Sequence, residues 1–72
     1  MIVKIQRSIV STNGLQNILI YNQDRSLIYE SQMSSEVQKL FDSEGCPLKL
    51  YCNANLENGI LEIGKVIHLQ DW

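Results

Sequence analysis

"SSEVQKLFDSEGCP", residues 34 to 47, is the one stretch of this 72-residue chain that reads as a helix. Val37, Leu40 and Phe41 fall at i, i+3 and i+4, the spacing that puts three apolar side chains on one helical face. Ser35 with Gln38 three residues later fits a capping box, and Gly45 followed by Pro47 supplies the stop. The spacing predicts an amphipathic helix over 34–44, and everything on either side of it reads as strand and turn.

After the helix, Leu48, Leu50, Cys52, Ala54 and Leu56 alternate with Lys49, Tyr51, Asn53, Asn55 and Glu57, which predicts a strand with one core face and one wet face. Asn58-Gly59 then predicts a two-residue hairpin, because both turn positions need φ > 0. The strand that follows, about 60–69, puts Leu61, Ile63, Ile67 and Leu69 on one parity. Gly64 and Lys65 interrupt it and predict a bulge or a sharp bend. Before the helix, Asn13-Gly14 predicts a second hairpin joining strands at about 2–11 and 15–22. Residues 22–26, Asn-Gln-Asp-Arg-Ser, separate two copies of Leu-Ile-Tyr and predict a third turn. The run Ile18-Leu19-Ile20-Tyr21 lacks alternation, as in a strand covered on both faces.

The resulting order is β-β-β-α-β-β, and the fold class is mainly β (α+β). A helix between the third and fourth strands of a five-stranded antiparallel sheet is the order of an OB-like partly open barrel. An open, curved sheet with the helix on its concave face is the competing architecture. Both leave edges to protect on a small sheet, which makes pairing with a second copy, a homodimer, an expected outcome.

A single domain of this length buries only about 60% of the surface its unfolded chain exposes, so its core is small. The apolar fraction of 44% is that of a folded protein and not of a disordered one. A net charge of −2 and a pI near 5.1 disfavour a protein whose main task is gripping phosphate backbones. The charge is also uneven, +1 over residues 1–31 and −3 over residues 32–72. The start "MIVKIQRSIV" has none of the features of a signal peptide, and no run is long enough to span a membrane, so the chain reads as cytoplasmic. Cys46 and Cys52 have neither metal-binding nor redox-motif spacing and read as free thiols.

No catalytic constellation, metal-ligand spacing or cofactor motif is spelled out. His68 stands alone in the sequence. Cys46 follows a helix C-terminus, where the dipole disfavours a thiolate. The candidate partner-binding residues are Trp72, which ends the chain, and Tyr51, on the polar face of the fourth strand. Trp72 could equally fold back and cap the small core.

A different class of function, single-strand nucleic-acid binding by an OB-like sheet, would use Tyr21, Arg25, Tyr29, Lys4 and Arg7. The parity of the 22–26 loop decides whether Tyr21 and Tyr29 form a platform. An even loop places Tyr29 opposite Ile20 and Tyr21 opposite Ile28, with the two rings on opposite faces; a three-residue loop makes the rings neighbours. Three-residue loops favour Gly last, and Ser26 is not Gly, so the even loop is expected. Asp24, Arg25 and Ser26 are also ordinary turn residues.

"VKIQ" at 3–6, "LIYNQDRS" at 19–26 and "QDW" at 70–72 resemble stretches of short bacterial proteins encoded on plasmids, integrative elements and phages. The resemblance spans nearly the whole chain and carries no activity with it. It implies a mobile-element setting, in which small acidic proteins often bind a host factor. Together these readings favour a non-catalytic protein-interaction module over a nucleic-acid binder, and either of them over an enzyme.

Overall fold

The computed structural model describes residues 1–8, 16–68 and 72. Five strands and one helix follow in the expected order: β1 (Ile2–Ser8), β2 (Asn17–Tyr21), β3 (Leu27–Gln32), α1 (Ser35–Ser43), β4 (Lys49–Glu57) and β5 (Ile60–Ile67). They form one antiparallel sheet in the order β3-β2-β1-β4-β5. The sheet curls into a half-barrel with α1 on its inner face. Among the described residues β3 and β5 are the two ends of the order and do not pair, so the barrel stays open along that line. The Asn13-Gly14 turn expected between β1 and β2 lies outside the described residues.

Strand alternation decides what faces inward. Val3 and Ile5 of β1, Ile18 and Ile20 of β2, and Leu50, Cys52 and Ala54 of β4 are buried together with Val37 and Phe41 of α1. Phe41, with no exposed surface, is the largest fully buried side chain. The inward run ends within β4: Leu48, just before the strand, and Leu56, near its end, are exposed.

The Asn58-Gly59 turn forms as its sequence predicts, with φ of 54° and 77° and Glu57 paired to Ile60. The interruption at Gly64 and Lys65 is a bulge in which both residues stand opposite Asn53, between the pairs Cys52–Val66 and Ala54–Ile63. A Cβ on Gly64 would lie 3.3 Å from the Asn53 carbonyl oxygen, so a larger residue there would push against backbone. The bulge also corrects the parity read from sequence. Leu61 and Ile63 face the core, but beyond the extra residue the inward position falls to Val66, and Ile67 turns outward opposite Tyr51.

The helix begins one residue earlier than a Ser35 cap implies. Ser34, in extended geometry, is the N-cap and accepts a hydrogen bond from the Val37 backbone N–H at 3.3 Å. Gln38 therefore sits one residue beyond the capping-box position, and its side chain donates forward to Asp42 Oδ1 at 2.9 Å. At the other end the Cys46 N–H reaches the Phe41 carbonyl at 2.8 Å, and the Gly45 N–H the Asp42 carbonyl at 3.3 Å. That double bond pattern is a Schellman stop, and Gly45 takes the left-handed φ of 84° that it requires.

Candidate interaction site

The open side of the half-barrel is a cleft of about 550 Å³. Its floor is Ile18 and Ile20 of β2 with Val37 and Leu40 of α1; one wall is Tyr29 and Ser31 of β3, and the other is Leu61 to Gly64 of β5. Two strand edges, unpaired among the described residues, thus flank a trough with an apolar floor. Ser34 and Glu36, at the start of α1, close one side. Glu36 and Glu62 are the charged residues of the lining, and no Lys or Arg belongs to it.

Tyr29 and Tyr21 are on opposite faces. Tyr29 stands opposite Ile20, as an even loop requires, and points inward into the cleft wall. The register then shifts, so that Tyr21 pairs with Leu27 and not with Ile28; Ile28 is the extra residue of a bulge. Tyr21 faces outward beside Lys4, whose Nζ is 5.1 Å from the ring centroid.

The outer face carries a second cluster. Lys4 is paired across the sheet with both Tyr21 and Tyr51, and its Nζ is also 5.7 Å from the Trp72 ring. Trp72 lies edge-on to Tyr51 with centroids 5.3 Å apart, and its backbone N–H donates to the Tyr51 hydroxyl at 3.2 Å while that hydroxyl donates to the Trp72 carbonyl. Tyr51 is therefore buried, 8% exposed, instead of lying on the wet face of β4. The alternation was read correctly, but Trp72, Lys49 and Ile67 cover that part of the outer face. Trp72 itself is half-buried and serves as a lid on Tyr51.

Arg7 and Arg25 lie away from this cluster. Arg7 reaches the carbonyls of Cys46 and Pro47 at 3.4 Å and Gln16 Oε1 at 3.2 Å, with its guanidinium carbon 5.7 Å from the Phe41 ring. It clamps the loop after α1 to β1 and is not aligned with Lys4 on the outer face. Arg25 is exposed in the 22–26 turn at φ 70°, its N–H bonded to the Asn22 carbonyl at 2.8 Å. Asp24 accepts the Ser26 backbone N–H at 2.9 Å and its hydroxyl, which holds the carboxyl below its ordinary range. These are turn-forming bonds.

Cys46 and His68 each pair with a carboxylate near the end of α1. The exposed Cys46 thiol donates to Asp42 Oδ1 at 3.3 Å, and that bond, with lesser contributions from desolvation and the Asp42 charge, raises its pKa against a smaller opposing effect of Arg7. His68 places Nε2 3.2 Å from both oxygens of Glu44, tying the end of β5 to the end of α1 as an ion pair when the ring is protonated. Among the described residues no three His, Cys, Asp or Glu side chains gather as a metal site, and no helix is long and apolar enough to cross a membrane.

Of the cleft lining only Tyr29 was a candidate from the sequence. The alternation of Leu61, Glu62 and Ile63 was visible, but its functional meaning depends on β5 ending the sheet, which is a long-range fact. Comparison of the chain with protein-family models, with curated proteins and with solved structures finds no match in any of the three.

Proposed function

We propose that this protein is a small non-catalytic interaction module that works in the cytoplasm and binds a protein partner through the seam between β3 and β5. The observation that supports the reading is the meeting of two strand edges, unpaired among the described residues, at one cleft with an apolar floor. Edge strands offer free backbone donors and acceptors, and natural proteins cover, bend or charge them where no partner is meant to pair. Both edges here carry a bulge, which leaves short regular stretches at 29–32 and 60–63. Apolar side chains face the trough beside each. The resemblance to mobile-element proteins favours a host factor as the partner, with a second copy of the chain as the other form of the same reading. Nucleic-acid binding draws less support, since its candidates are divided: Tyr21 and Lys4 on the outer face, Tyr29 and Arg7 on the inner parity with Arg7 held by the loop after α1, and Arg25 in the turn.

Capture from a bacterial lysate, run beside light scattering, tests the proposal with wild type and two seam variants, Leu61→Lys and Ser31→Lys. The expected result is a defined set of proteins, or a concentration-dependent dimer, present with wild type and lost in both variants while circular dichroism is unchanged. A wild-type monomer that retains the same proteins as both variants would contradict it.

A further inference from the structure

Resting on the docking reading above, we infer that the occupant of the seam is an extended segment of another protein with an apolar-basic-apolar pattern, added as a strand along 60–63 of β5. The register of β5 sets the pattern. Leu61 and Ile63 face inward to the cleft, while Glu62 pairs with Asn55 on the opposite face and is exposed. A strand added beside them must follow the same alternation, because directly opposed residues point to the same side. Its two residues opposite Leu61 and Ile63 would therefore enter a trough floored by Ile18, Ile20 and Leu40, where apolar side chains are favoured. The residue between them would stand on the outer face against Glu62, at a shallow hollow that Glu57 also lines and no Lys or Arg does. A Lys or Arg fits that position.

The bulge limits the length. At Gly64 and Lys65 the edge leaves regular pairing, and the Lys65 charge would oppose a second basic residue. The added strand is thus short, about four residues, and main-chain bonding along the edge is combined with side-chain readout at three positions.

A second folded copy cannot supply this segment from its described residues. Val3-Lys4-Ile5 and Leu48-Lys49-Leu50 have the right pattern, but they lie in or lead into β1 and β4, which are paired on both sides. Gly64-Lys65-Val66 is taken up by the bulge itself. The partner is therefore a different chain.

The test is a ¹⁵N–¹H titration of the full chain with two capped pentapeptides, Thr-Val-Lys-Val-Thr and Thr-Val-Glu-Val-Thr, repeated on Glu62→Lys and Glu62→Gln. The basic peptide should shift the amides of Leu61, Glu62, Ile63 and Leu40 and bind about three- to tenfold more tightly than the acidic one, the range set by opposite against like cross-strand charges. Glu62→Gln should remove that preference and Glu62→Lys reverse it. Equal affinity of both peptides at the seam would overturn the inference on charge and leave the docking reading intact. Absence of seam shifts with either peptide would overturn the strand inference altogether, and the docking reading would then stand or fall on the capture experiment alone.

Discussion

Cys52 has no exposed surface, and burial pushes its thiol up to about 11 from 9.0. A folded-state value above the unfolded one means that the neutral thiol stabilises the fold fully below pH 9 and that this contribution is lost as pH rises toward 11. Thermal unfolding followed from pH 8 to 11 should therefore show a steeper alkaline fall for wild type than for Cys52→Ala, and parallel curves would contradict that placement of the thiol. Tyr51 shows where reading single residues from sequence stops. Its parity on β4 is legible in the alternation of Leu50, Cys52 and Ala54, but its burial depends on Trp72, twenty-one positions away, reaching across the outer face. The 22–26 turn lies at the other extreme. Asp24 and Ser26 bond locally, so their role can be read from the neighbouring residues alone.

Among the elements, α1 is the one whose ends carry the most testable detail. Ser34 and Ser35 are adjacent and chemically identical, yet only Ser34 caps the helix. Ser34→Ala should cost about 1 kcal/mol, the usual value of a lost N-cap, while Ser35→Ala on the exposed first turn should be close to neutral. Denaturant unfolding of the pair checks this, and equal losses would return the cap to Ser35. The existence, length and stop of the helix were legible because propensity, apolar spacing and the Gly45 terminator agree; the choice between two serines was not, because it turns on backbone geometry at one residue. The strands divide the same way. The Asn58-Gly59 turn and the break at Gly64 carry local signals, whereas the shift at Ile28 and the outward turn of Ile67 follow from how a neighbouring strand meets the bulge.

For the whole molecule, the order β-β-β-α-β-β was legible and closure of the barrel was not, because closure depends on whether two strands nearly thirty residues apart meet. Among the described residues they do not, and the proposed function and its occupant both rest on that gap. Native-state hydrogen exchange resolved by residue measures it directly. An open seam requires that the amides of β1 and β4, paired on both sides, reach the protection of global unfolding, while alternate amides of Leu27–Gln32 and Ile60–Ile67 exchange orders of magnitude faster because no strand covers them. Protection of both edge strands equal to that of β1 and β4 in the monomer would mean that β3 and β5 close on each other in solution and that no seam is open to a partner.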